Sequence, residues 1–257
     1  MKKVFFVAIC LFCMTNYAIG AKSPSTIFLI GDETMADYPK LADKSPCGWG
    51  QCLPTYIRSE VIVENHAIIG VNSTSYRNDG YWDVVLERAN RGDFLFIQLG
   101  LNDIEPSCED RPAGIDVLEH NLLQMVAEAE KKNIQVILFT PNSPCFFKDS
   151  LFFHRLGGYA ETIRNVAKYF QIPLVDLEEA TALFWKNEGE EFAYQWLIDG
   201  SDRLLTPDGA LKISQIVYEQ LKSLNIKNLS QKLKEGNEPI YTQPWKQEVN
   251  VEKEVSL

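Results

Sequence analysis

A three-layer α/β/α sandwich around a parallel sheet is what this sequence predicts, on two observations. Short apolar runs recur at Ile27 to Ile30, Val61 to Val63, Phe94 to Leu99, Ile134 to Phe139 and Ile172 to Val175, and longer stretches with apolar residues on helical spacing separate them. Strands that are apolar without alternation are buried on both faces, as in a parallel sheet covered by helices on each side. Their regular alternation with helices gives a flavodoxin-like, doubly wound order.

The elements follow in chain order. The first run ends at Gly31-Asp32-Glu33, a strand-to-helix turn, and the third enters Gly100-Leu101-Asn102-Asp103. Ile115, Leu118, Leu122, Met125, Val126 and Ala129 keep helical spacing, as do Tyr159, Ile163, Val166, Ala167 and Phe170. A last helix follows Thr206-Pro207-Asp208-Gly209 and carries Leu211, Val217, Leu221 and Leu224. From about Lys227 the pattern degrades into a polar tail with Pro239, Pro244 and a charged end from Glu248 to Glu254, expected to be disordered.

With 46% apolar and 23% charged residues in 257, the chain is expected to bury one core in a single domain. Lys2 and Lys3, the apolar run Val4 to Cys13 and Ala18-Ile19-Gly20 have the form of a secretory signal peptide over residues 1–20. The run is too short to span a bilayer. The expected division is thus a signal peptide at 1–20, a domain at 21–226 and a tail at 227–257, in a secreted or periplasmic protein. Processing would remove two lysines and no acid, taking the formal charge from −10 to −12. Such a surface repels nucleic acid and anionic membranes and suits a neutral or weakly charged partner; the oligomeric state stays open. Cys47, Cys52, Cys108 and Cys145 would remain. Four cysteines admit two disulfides in three connectivities, or buried free thiols, and their irregular spacing argues against zinc. No metal and no cofactor is expected.

In doubly wound sheets the residues after each strand line the ligand site. Here they are Gly31-Asp32-Glu33-Thr34, then Asn65-His66-Ala67-Ile68-Ile69-Gly70-Val71-Asn72-Ser73, then Gly100-Leu101-Asn102-Asp103. In order and spacing these blocks resemble the SGNH/GDSL hydrolases. Gly48-Trp49-Gly50-Gln51, Trp82-Asp83 with Arg91-Gly92-Asp93, Thr140-Pro141-Asn142 and Tyr159 through Pro173 to Asp176 are similar to the rhamnogalacturonan acetylesterase subgroup, and the likeness spans about residues 25 to 222. The resemblance implies the SGNH hydrolase fold, an ancestral carbohydrate esterase activity, and oxyanion donors at the Gly70 backbone N–H and the Asn102 side chain. It also implies a carbohydrate ligand, an acetylated or pectic oligosaccharide.

Two departures bear on activity. The family's nucleophilic serine is here Glu33, a poor substitute for an attacking alkoxide. The family's closing Asp-x-x-His falls on Ser201 and Leu204 without a gap, or on Asp199 and Asp202 with one; both registers lose the base. Of three histidines, His120 is expected on an outer helix, while His66 and His154 border the sheet's carboxyl end and are kept as binding candidates with Asp32. The expectation is a protein lacking classical serine-esterase activity, a pseudoenzyme. One alternative is carboxylate-based, glycosidase-like chemistry using Glu33 with Asp202 or Asp199; a further one is an O-acetylesterase with a non-standard triad. A carboxylate pair about 5 to 10 Å apart would favour the glycosidase, and Glu33 bonded to Gly70 and Asn102 would favour the plugged site. Asp32, Glu33, Asp103, Asp199 and Asp202 form no recognised cation motif. Trp49, Trp82, Tyr76 and Tyr81 are either sugar-stacking walls or core.

Overall fold

Five parallel strands in the order β2-β1-β3-β4-β7 form the sheet: β1 (Thr26–Gly31), β2 (Ile62–Asn65), β3 (Phe94–Gln98), β4 (Gln135–Phe139) and β7 (Leu174–Val175). The computed structural model describes residues 25–40, 45–104 and 113–236. The expected signal peptide, Cys108 and the tail beyond residue 236 lie outside the described residues. An antiparallel hairpin, β5 (Phe147–Lys148) with β6 (Leu151–Phe152), follows β4. The helices are α1 (Trp49–Cys52), α2 (Ser73–Asn78), α3 (Tyr81–Arg88), α4 (Leu101–Ile104), α5 (Ile115–Lys131), α6 (Gly157–Phe170), α7 (Leu177–Ala193) and α8 (Pro207–Ser223).

Strand parity sorts the core, because successive side chains leave opposite faces of a sheet. Ile27, Leu29, Phe94, Phe96, Ile137 and Phe139 pack with Trp49 of α1, Leu177 and Trp185 of α7, and Ala210, Ile213 and Val217 of α8. Their neighbours Phe28, Ile30, Leu95, Ile97, Val136 and Leu138 pack with Trp82 of α3, Leu118 and Met125 of α5, and Ile163 and Val166 of α6. Both faces of β1, β3 and β4 are thus buried, whereas Ile62 on the edge strand β2 is exposed; each large side chain so buried contributes about 2 to 3 kcal/mol. Trp49, Trp82 and Tyr76 are at most 1% exposed, so they belong to the core and form no sugar-stacking wall; Tyr81 is partly buried.

Helix starts follow local chemistry. Thr206 accepts the Gly209 amide at 3.1 Å and Pro207 opens α8, a position where proline's missing N–H removes an orphan donor. Asn72 accepts from Thr74 and Ser75 in a capping box that starts α2. Two boundaries differ from expectation. The last strand shrinks to Leu174–Val175 because Pro173 has no N–H for the ladder, though its carbonyl still accepts from Leu138. The chain past Lys227 is docked as far as Gly236: Leu229 and Leu233 are buried, the Arg58 amide donates to the Lys232 carbonyl and the Lys234 amide to Tyr56, each at 2.9 Å. Too few apolar residues mark this segment for periodicity to reveal it.

Gly48 sits where α1 meets the turn after β1, and a Cβ there would lie 2.2 Å from the Ala36 carbonyl oxygen and 2.4 Å from the Met35 carbonyl carbon. All three nearest atoms are backbone of Met35 and Ala36, so no flexible side chain is there to yield. Gly48→Ala is therefore expected to destabilise the protein by about 2 to 3 kcal/mol, the upper range for overpacking, read as a lower urea midpoint at unchanged slope.

Candidate functional site

The loops leaving β1, β2 and β3 converge on one side chain. Glu33 follows β1 and is 2% exposed. Its Oε2 accepts the Gly70 backbone N–H at 3.2 Å and the Asn102 Nδ2 amide at 2.6 Å. Gly70 has φ of 81°, a left-handed conformation glycine adopts without strain, and this directs its amide at Glu33. Asn102 stands at the start of α4, its amide also donating to the Val71 carbonyl at 3.0 Å. The two donors named by the resemblance thus meet on one carboxylate oxygen. Glu33 Oε1 has no hydrogen-bond partner among the described residues.

Asp32 lies beneath in a second buried network. Its Oδ1 accepts from the Thr34 amide at 2.9 Å and the Thr34 hydroxyl at 2.7 Å. Gln98 Nε2 donates to Thr34 Oγ1 at 2.7 Å, and Trp49 Nε1 to Gln98 Oε1 at 2.9 Å. Thr34 therefore faces Asp32 and Gln98. Burial, with the adjacent Glu33 adding to it, pushes the Asp32 carboxyl up to about 7, against the pull of Thr34 and of the Arg203 charge. Nearby, Asp103 accepts the Ser73 amide and hydroxyl, and burial raises its carboxyl as well.

The other candidates lie elsewhere in the bonding pattern. Asp202 is held between two guanidinium groups, Arg155 Nη1 and Arg203 Nε, each at 3.0 Å. Asp199 is exposed at the tip of a turn closed by the Leu197 to Leu205 bridge. His66 Nε2 meets Glu64 at 3.1 Å, and Glu64 also takes Arg88. His154 Nδ1 meets Glu178 Oε1 at 2.6 Å and its Nε2 meets Lys186 at 2.9 Å. His120 is exposed on α5. Ligand atoms of His154, Glu178 and Glu179 lie within 4.8 Å of one another. Arg164 already binds Glu178 at 2.7 Å, so with Lys186 two cations stand where a metal would add a third.

Four further residues support the site. Gln98 is the polar residue inside the apolar run Phe94 to Leu99, which is a legible signal. Tyr38 donates its hydroxyl to the Glu33 carbonyl at 3.0 Å. Arg155 and Arg203 line a small recess with Leu101, Ile104, Pro144 and Leu156; their convergence depends on the 197–205 turn, which pattern alone does not fold.

The parallel sheet with helices on both faces finds its match in comparison with known proteins. The profile of the GDSL-like Lipase/Acylhydrolase family matches residues 29–208. The chain belongs to this family. Among GDSL-like relatives it is similar to the probable rhamnogalacturonan acetylesterase YesY of Bacillus subtilis (strain 168), 26% identical over 205 residues that cover 78% of this chain and 94% of that protein. It is equally similar to the rhamnogalacturonan acetylesterase RhgT of the same organism, 26% identical over 219 residues, covering 80% and 93%. The crystal structure of the YxiM protein from Bacillus subtilis superposes with a TM-score of 0.72 at 27% identity, covering 80% of this chain and 58% of that one. Glu33 stands at the turn that follows the first strand, inside the matched residues.

The unfolded chain releases the Asp32 proton near 3.8, whereas the native protein keeps it until about 7. Across that window the native state binds the extra proton, so this group's stabilisation is complete below about pH 4, declines as pH rises and is gone above about pH 7. Asp32→Asn, which imitates the protonated form, is expected to flatten that decline and raise stability at pH 8, measured by urea unfolding from pH 4 to 8.

Proposed function

We propose that this chain is an exported, carbohydrate-associated member of its family that does not hydrolyse esters by the serine mechanism, because Glu33 plugs the oxyanion site. The carrying observation is the contact of Glu33 Oε2 with Gly70 N and Asn102 Nδ2, at 3.2 and 2.6 Å. Oxyanion donors accelerate a reaction only by binding the transition state more tightly than the ground state. Donors already occupied by a carboxylate supply no such difference. Among the described residues no histidine is shown bonded to Glu33: His66 and His154 meet Glu64 and Glu178. The carbohydrate ligand, an acetylated or pectic oligosaccharide, rests on the two relatives named rhamnogalacturonan acetylesterases.

The carboxylate-based alternative has less support. Its second acid would be Asp202, clamped by Arg155 and Arg203, or Asp199, on an exposed turn.

The test assays purified protein, Glu33→Ala and Glu33→Ser on acetylated and deacetylated pectic oligosaccharides, with released acetate and sugar fragments read by mass spectrometry. Acetate release is expected at background for all three, on the order of a millionfold below a serine-bearing relative, as when a nucleophile or base is deleted from a triad. Sugar release that vanishes in Glu33→Ala would establish the carboxylate hydrolase instead. Acetate release by the unmodified protein would overturn the plug.

A further inference from the structure

Cys47 and Cys52 flank the Gly48-Trp49-Gly50-Gln51 turn, and their sulfur atoms lie 3.8 Å apart as free thiols. Both are buried, at 6% and 1% exposure. We propose that these two residues are a disulfide site, closing a covalent loop around the turn that buttresses Glu33. A disulfide needs its sulfurs about 2 Å apart, so each thiol has to move by roughly an ångström. Among the described cysteines, this geometry pairs Cys47 with Cys52. Cys145 is fully buried beyond β4, where its amide donates to the Asp202 carbonyl at 2.7 Å. The inference stands whether or not the chain turns over an ester.

The surroundings hold the pair in register. The Cys47 amide donates to Leu205 at 3.0 Å and the Trp49 amide to Thr34 at 2.9 Å. Cys47 Sγ donates to Gln51 Oε1 at 3.2 Å. Gln51 in turn accepts the Tyr38 amide at 3.2 Å and donates to the Tyr38 carbonyl at 3.1 Å. Tyr38 reaches Glu33 through its hydroxyl. A bond between the two sulfurs therefore fixes the segment that carries Gln51 and, through Tyr38, the cover over the Glu33 turn.

The oxidant is a small-molecule disulfide. The Cys47 thiolate, the less buried of the two, attacks one sulfur of that disulfide and expels a thiolate, giving a mixed disulfide. The Cys52 thiolate then displaces the second thiolate and forms the intrachain bond. The pair loses two protons and two electrons; the external disulfide takes up the electrons and leaves as two thiols. Contact with Cys47 and burial push the Cys52 thiol up, so closure belongs to folding, when the turn is still open.

The full chain would be refolded in oxidised and reduced glutathione, alkylated in denaturant without reductant, and digested with trypsin. The peptide Ser45–Arg58 contains both cysteines and no internal Lys or Arg. From oxidised buffer it is expected lighter by two hydrogens than the dithiol and unalkylated; prior reduction yields the doubly alkylated form. The oxidised protein is expected to melt about 5 °C above the reduced one, as a short closed loop gives. A doubly alkylated peptide from oxidised buffer, or one crosslinked to the peptides bearing Cys108 or Cys145, would overturn the site. So would loss of the loop-closed peptide in a Cys108→Ser/Cys145→Ser variant.

Discussion

Two carboxyl groups on successive residues, Asp32 and Glu33, are buried together at a tight turn, and the carboxyl end of the sheet is arranged around that constraint. An ionised carboxylate without partners inside a protein is worth several kcal/mol of instability. Each acid accordingly has its own donors: the Thr34 amide and hydroxyl for Asp32, the Gly70 amide and Asn102 side chain for Glu33. Those donors come from loops, and the loops are secured in turn. Asn102 is tied to Val71, the Asn72 box fixes the next turn, and Asp103 grips Ser73. Loss of one contact would be felt through all three loops, because they share a single buried centre.

On the proposed function, the same donors have exchanged one task for another. In a serine hydrolase their strength is expressed in the transition state, when negative charge appears on a substrate oxygen. Here a side chain of the protein itself supplies the oxygen, and the interaction contributes to the ground state of the folded chain. The scaffold needed no change of topology for this. The strand order 2-1-3-4-7 and the parity of the two core layers are indifferent to which residue follows Asp32.

What was legible in the sequence divides along the range of the interactions. Mainly apolar runs identified all five sheet strands, and helical spacing identified α5, α6 and α8, because each pattern is written within a few consecutive residues. Glu33, Gly70 and Asn102 were legible because they lie in the segments that follow strands, and in a doubly wound sheet those segments share one crevice. Arg203 was not. It lies one position beyond Asp202 on a turn whose shape depends on the Leu197 and Leu205 bridge and on Ser201 accepting the amides of residues 203 and 204. The docked segment to Gly236 was missed for a related reason: its partner, Ile57, lies far away in sequence, and no local period records such a pairing.

That pairing bears on the order in which the molecule assembles. Ile57 and Leu233 are joined across nearly the whole described chain, and closing so long a loop is entropically late. During synthesis the stretch after α1 emerges early and waits for a partner made almost last. The first half of the sheet can form cotranslationally, while the strip around Tyr56 and Ile57 stays uncovered until residues 232–234 have left the ribosome. A chaperone arriving in that interval would find its handle there, on the side of the domain away from the buried carboxylates.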